Sequence, residues 1–374
     1  MKGISVDLWR VRVRFAVLCV PYALDYAAGT DSVSDVIAWD LQVASWADQY
    51  GLDEVFFAEH HTLGHEPSPA PELMIAAASQ QTTRVRLGAL GHLVPYHNPV
   101  ALAHRMIWLD HLTGGRYVAG VAPGAFPTDA QLFGTGMENA RMLAEGLDII
   151  QAIFTKPGPW RIDGRYWTAD MPEFSSSVNG PHLKPLQRPH PEILMTGMQP
   201  KSPTLAEAGK RGHSPVSQEV SSQTLIRHWE TYAEAAEAAG HTPRRSSWRV
   251  TRDVWLADTD EEAREQVLSG PLGEVWSKVN LPLFKDLGLG SLLAGADVPE
   301  HDLCLEWLVD NFFLIGSPET VAKKIEAFHA EVGGFGTLLM GAPGRGREPD
   351  TYRRSLELLG SEVAPRLSHL VAGS

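Results

Sequence analysis

Eight short apolar or β-branched runs, each followed by a segment of helical period, constrain this chain more than any other feature. The runs are RFAVLCV (14–20), EVFFA (54–58), RVRLGAL (84–90), RYVAGV (116–121), EILMT (192–196), HSPVS (213–217), WRVTRDVWLA (248–257) and GTLLM (336–340). The segments after them cover 33–50, 71–81, 100–112, 141–154, 205–210, 224–239, 261–268 and 352–359. A strand that is apolar at nearly every position is buried on both faces, as happens in parallel sheets covered by crossover helices. Eight such units predict an α/β fold of the (β/α)8 TIM-barrel type. An open doubly wound sheet fits the same alternation. HSPVS is the weakest of the eight strands.

Two stretches interrupt the repeat and read as insertions after strand four and after strand seven. Residues 155–189 are rich in Pro, Gly, Ser and Trp; residues 270–303 carry Leu287-Gly288-Leu289-Gly290. Loops of this length are commonly lids. The two are expected to cover the site and set substrate choice, with Trp160, Trp167 and Phe174 either lining an apolar pocket or anchoring the loop. The chain then reads as one barrel domain over 1–374. A formal net charge of -13 argues against binding a nucleic-acid backbone or an anionic membrane. Cys19 and Cys304 are the only cysteines, which excludes a disulfide framework and fits a reducing, cytoplasmic setting. The apolar run Phe15 to Val20 is too short for an export leader, and no run approaches membrane-spanning length.

In a parallel barrel the chemistry sits at the C-terminal ends of the strands. The unusual residues of this chain fall there: Glu59-His60-His61 after strand two, GALGHLVPYHNP after three, APGAFPTDAQLFG after four, TGMQPKSP after five and GAPGRG after eight. A metal site is not expected. Neighbouring strand residues face opposite ways, so His60 and His61 cannot easily share an ion, and His92 and His97 complete no ligand set. An anion site is better supported. Thr196 and Gly197 end strand five, Lys201 and Ser202 follow, and Pro203 suits a first helical position with Ser202 as N-cap. Thr204 and Glu207 offer an alternative capping box.

The run from FFAEHH through RVRLGALGHLVPYHNPVALAHRMIWLDHLTGGRYVAGVAPGAF to LFGTGMENARMLAEGLDII resembles the bacterial luciferase-like flavin monooxygenases. The resemblance resumes at EILMTGMQPKS and at FFLIGSPETVAKKIEAF. It implies a flavin at the C-terminal mouth of the barrel, with His60 as the catalytic residue near its reactive edge and Glu59 beside it. It further implies a cis peptide between Leu90 and Gly91 next to the flavin ring, with Ala122 and Gly124 along the strand-four edge. Arg141, Thr196, Gly197 and Ser202 would lie at the FMN phosphate, with Met198 also contacting the cofactor. Where luciferases have a cysteine after strand four, this chain has Ala122, and the basic residue that follows is replaced by Pro123. Phosphate binding then leans on Arg141 and the strand-five loop.

The expected activity is a two-component monooxygenase. FMNH2 from a separate NAD(P)H:flavin reductase reacts with O2 to give a C4a-(hydro)peroxyflavin that oxygenates a small apolar organic substrate. His60 would move a proton near the peroxide, oriented by Glu59 or a backbone carbonyl. A homodimer is implied by the resemblance. Hydride transfer with coenzyme F420 on the same fold and a non-catalytic flavin-binding protein remain as alternatives.

Overall fold

The computed structural model describes residues 12–24, 32–174, 182–295, 298–346 and 348–370. The run Phe15 to Val20, read above against an export leader, lies within them, and residues 1–11 lie outside. Eight parallel strands close into a barrel: β1 (Arg14–Cys19), β2 (Glu54–Phe57), β3 (Arg86–Leu93), β4 (Tyr117–Ala122), β5 (Ile193–Gly197), β6 (Ser214–Ser217), β7 (Arg249–Thr251) and β8 (Thr337–Ala342). Each pairs with the next in sequence, and β8 pairs with β1. The open-sheet alternative is thereby excluded, and HSPVS takes its place as β6.

Helices follow the strands where local chemistry starts them. Asn98, Ser202 and Ser317 are side-chain N-caps, each followed by a proline at the first helical position. The resulting helices span Pro99–Leu112, Pro203–Arg211 and Pro318–Glu331. Their apolar faces pack on the outer faces of the strands in one continuous core that includes Trp248, Trp255 and Trp276.

The N-terminal end of the barrel is plugged by charge. Arg249 is fully buried and donates to Glu54 Oε1 at 2.7 Å and to Glu192 Oε1 at 2.9 Å. Arg86 donates to Glu54 at 2.8 Å, and Arg14 lies 3.6 Å from the same carboxylate. Burial pushes both carboxyls up, but the arginines outweigh it. Glu54 is held at about 2 and Glu192 well below the usual carboxylate range.

Two sequence readings need correction. WRVTRDVWLA is not one strand. It breaks after Thr251, and Val254–Leu256 pairs in parallel with Leu314–Gly316 outside the barrel. The break falls at Arg252 and Asp253, which are buried polar residues with their own partners: Arg252 stacks 3.6 Å from the Phe312 ring centroid, and Asp253 accepts from Gly341 N at 3.1 Å. The two insertions also differ in role. Residues 270–303 form short helices that roof the barrel mouth, including Pro271–Val275, a π-helical turn at Trp276–Asn280, and Leu281–Asp286. Residues 155–189 form an antiparallel hairpin, Trp160–Asp163 with Thr168–Met171, and none of their described residues lines the main cavity. Trp167 borders a separate shallow cleft with Tyr96 and Phe133, Trp160 packs on the core, and Phe174 is exposed. No helix among the described residues is long and apolar enough to cross a membrane.

Candidate active site

The strand-two exit builds the centre of the site. After Ala58 the chain loops out and returns, so that His60 N donates to Ser68 O at 2.9 Å and Ser68 Oγ donates to Ala58 O at 2.6 Å. This clamp brings Glu66 over His60, with Glu66 Oε2 3.2 Å from His60 Nε2. Phe126 meets the same imidazole edge-on at 5.4 Å. Burial draws His60 down to about 4, against the pull of Asp129 and Glu59, and burial raises Glu66 to about 8. At neutral pH the two form a neutral hydrogen-bonded pair rather than an ion pair. His60 Nδ1 is buried and has no hydrogen-bond partner among the described residues.

Glu59 does not orient His60, contrary to the sequence expectation. It turns inward and accepts from His61 Nε2 at 3.0 Å, His97 Nε2 at 2.9 Å and Leu93 N at 3.1 Å. Arg105 donates to His97 Nδ1 at 3.1 Å, which places the His97 proton on Nε2, facing Glu59. Burial alone would raise Glu59, but the His61 and His97 hydrogen bonds outweigh it and hold the carboxylate at about 2. The histidines thus converge on a carboxylate. His92 lies deeper, fully buried, with Nε2 2.8 Å from Tyr117 Oη. Among the described residues no group of three or more His, Cys, Asp or Glu is arranged to hold a metal ion.

Strand three supplies the floor. The Leu90–Gly91 peptide is cis, and it occupies an irregularity where the β3–β4 register shifts between Ala89 and His92. A side chain at Gly91 would bring Cβ within 2.9 Å of Val121 N, so only glycine lets the two strands approach this closely. Strand five supplies the far end. Ser202 Oγ caps Leu205 N at 3.3 Å and lies 3.1 Å from Thr204 Oγ1. His228 Nε2 donates to Gln199 O at 2.8 Å and pins the loop.

These pieces surround a cavity of about 530 Å³, within the range of small-molecule and cofactor sites. Of the sequence-derived residues, Glu59, His60, Leu90, Gly91, Ala122, Gly124, Thr196, Gly197, Met198 and Ser202 all line it. Arg141 does not. It sits at the surface on the helix Asn139–Thr155, its side chain 70% exposed and 3.1 Å from Glu138. The sequence reading missed Glu66, Tyr22, Glu219 and Asp253, which also face the cavity. The Arg252-Asp253 pair interrupting an otherwise apolar run was the available signal for the last.

A pocket at the C-terminal mouth of a closed (β/α)8 barrel, with a histidine in its wall and a capped helix N-terminus at one end, is the arrangement of a barrel enzyme that holds an anionic cofactor. The chain belongs to the luciferase-like monooxygenase family, whose model matches residues 16–334. It is 37% identical to 3,6-diketocamphane 1,6-monooxygenase of Pseudomonas putida over 90% of this chain and 94% of that protein. It is 34% identical to 2,5-diketocamphane 1,2-monooxygenase 1 of the same organism, over 93% and 99%. The solved structure of the oxygenating constituent of 3,6-diketocamphane monooxygenase of Pseudomonas putida, a type II Baeyer-Villiger monooxygenase in complex with FMN, superposes with a TM-score of 0.89 at 34% identity, covering 97% of this chain and all of that one.

Proposed function

We infer that the protein is the oxygenating component of a two-component system, binding reduced FMN made by a separate NAD(P)H:flavin reductase and oxygenating a small apolar organic molecule with O2. The observation that carries this is the single cavity joining the Ser202 cap, the cis Leu90–Gly91 floor, the His60–Glu66 pair and an apolar roof. Reduced FMN, when bound, would supply the electrons that activate O2, and one atom of that O2 is the oxygen transferred to the substrate.

The chain's own contributions follow from the geometry. Ser202, Thr204 and the N-terminus of helix Pro203–Arg211 offer hydroxyls, amide N–H groups and a positive dipole end to the FMN phosphate. Arg141 joins them by leaving Glu138, a rearrangement that costs little because the pair is exposed. The cis peptide and Ala122 accept the flavin ring. His60 presents the unpartnered Nδ1 to the reacting face, and its Nε2 exchanges a proton with the protonated Glu66. The roof helices, through Leu272, Trp276 and Phe284, exclude water.

The working form is a cytoplasmic homodimer. Exposed Leu73, Trp108 and Leu112, on the helices Pro71–Ser79 and Pro99–Leu112, give adjoining helices an apolar face that a second copy would cover.

The test is binding of FMNH2 against reduced F420, followed by oxygenation of small terpenoid and aliphatic substrates with a generic flavin reductase. Tight FMNH2 binding with O2-dependent product formation supports the reading. Preference for F420 with hydride transfer and no oxygen incorporation replaces it by the deazaflavin alternative. Flavin binding without product on any substrate leaves the non-catalytic one.

A further inference from the structure

The cavity has two unlike ends. One is the Ser202 end described above. The other, under the roof helices, is walled by Leu272, Val275, Leu283 and Phe284, and one corner of that apolar wall is polar. The corner is built from the exits of three strands: Tyr22 after β1, Glu219 after β6 and Asp253 after β7.

Asp253 is 3% exposed and is already supplied with donors. Gly341 N donates to its Oδ1 at 3.1 Å and Trp276 Nε1 to its Oδ2 at 2.5 Å. The Glu219 carboxyl lies within hydrogen-bonding reach of it. Two carboxyls in contact hold one proton between them. With Asp253 so furnished with donors, the proton belongs to Glu219, which donates it to Asp253 and keeps its second oxygen as an acceptor. Burial and the neighbouring Asp253 both push Glu219 upward, which agrees. The remaining negative charge is balanced by Arg252, itself buried, donating to Val220 O at 3.1 Å and stacked on Phe312.

Two hydroxyls complete the corner. Tyr22 presents its phenolic hydroxyl to the cavity, which Asn280 of the roof also lines. Thr251 also lines the cavity. It is 3% exposed, and its Oγ1 has no hydrogen-bond partner among the described residues. Among the described residues no lysine or arginine lines the cavity.

We propose that Tyr22, Glu219 and Asp253, with Thr251, form the subsite that anchors the single neutral oxygen function, ketone or alcohol, of an otherwise apolar substrate and turns carboxylates away. A carbonyl takes the Tyr22 O–H, and an alcohol also donates to Glu219. A hydrocarbon leaves these groups without partners, a net loss. A carboxylate meets a negatively charged carboxyl pair with no lysine or arginine among the described residues of the cavity wall. This rests on reading the cavity as a flavin-dependent oxygenase pocket.

The test measures dissociation constants by calorimetry, and turnover with a reductase, for two matched series: bornane, borneol, camphor and a bornane carboxylate; decane, decanol, decanone and decanoate. FMNH2 affinity is measured on every sample. The wild type is expected to bind the ketone or alcohol of at least one series about tenfold or more tighter than its hydrocarbon, and to reject both carboxylates. Glu219→Leu and Tyr22→Phe should each erase most of that preference. Glu219→Gln, whose amide donates to Asp253 and whose carbonyl still accepts, should retain it. A wild type that retains FMNH2 but binds hydrocarbon and ketone alike, binds no oxygen-bearing member, or prefers a carboxylate overturns the subsite. So does a Tyr22→Phe or Glu219→Leu protein with undiminished preference. Loss of FMNH2 binding in the wild type instead overturns the reading of the cavity itself.

Discussion

His60 Nε2 stands 3.2 Å from Glu66 Oε2, six residues later in the same loop, and the contact exists because Ser68 folds the loop back onto the strand end. Both groups are neutral near pH 7, so Glu66 holds a proton that it can hand to His60 Nε2 as His60 Nδ1 releases its own, leaving Glu66 as the carboxylate. His60→Ala is expected to cut turnover on the order of a hundred- to ten-thousandfold while FMNH2 affinity stays close to wild type. Unchanged turnover would remove His60 from the mechanism.

Glu66 should set the alkaline limb of the pH profile. Burial raises it to about 8, so turnover is expected to fall as pH rises through that value and Glu66 loses its proton. Glu66→Gln cannot ionise, and its profile should lack the limb. A retained limb in that variant assigns it to another group.

Stability should also fall with pH above neutrality. Glu66 and Asp40 are both raised by burial to about 8, from 4.5 and 3.8. Their stabilisation is full below the ordinary carboxylate values and is lost as pH rises toward 8. His60 runs the other way, from 6.5 down to about 4, and its contribution is lost as pH falls below 6.5. Above 6.5 only the carboxyls act, with a limit of about 1.4 kcal/mol per pH unit for each differential proton. Thermal melts from pH 6.5 to 8 should show a falling midpoint, shallower in Asp40→Asn and Glu66→Gln.

Gly197→Ala should weaken FMN binding without unfolding the barrel. An added Cβ would come within 2.6 Å of Ser202 Oγ and 2.5 Å of Leu205, displacing the helix N-terminus assigned to the phosphate. Equilibrium binding of FMNH2 to this variant, Ser202→Ala and Arg141→Ala ranks the three contributions. Wild-type affinity in all three would move the phosphate elsewhere.

At the opposite end of the barrel, Arg249→Ala should cost about 3–5 kcal/mol, because Glu54 and Glu192 would lose the fully buried arginine they share and keep between them only Arg86, 2.8 Å from each. Denaturant unfolding measures it. A loss below about 1 kcal/mol would mean that Arg14 and Arg86 suffice.

The barrel was legible because burial on both faces leaves apolar strands no room for variety, and eight repeats leave few topologies. Caps at Asn98, Ser202 and Ser317 were equally readable, being decided within four residues. What could not be read was long-range. Whether Glu59 meets His60 or His61 depends on where His97 and Leu93 arrive from strand three, and Glu66 reaches His60 only through the Ser68 clamp. The break in WRVTRDVWLA depends on partners from the roof and from β8. Arg141, named through resemblance, lies at the surface beside Glu138, one helical turn away.

Asp253 joins three parts of the molecule, the end of β7, the backbone of β8 at Gly341 and the roof at Trp276. The pocket is therefore divided along the chain. The segments from β2 to β5 carry the groups assigned to the flavin, while most of the substrate end comes from β6 onward, including an inserted roof that Trp276 ties to Asp253. Exchange of residues 270–303 between relatives, keeping Trp276, could redirect such an enzyme to new molecules while leaving its oxygen chemistry intact.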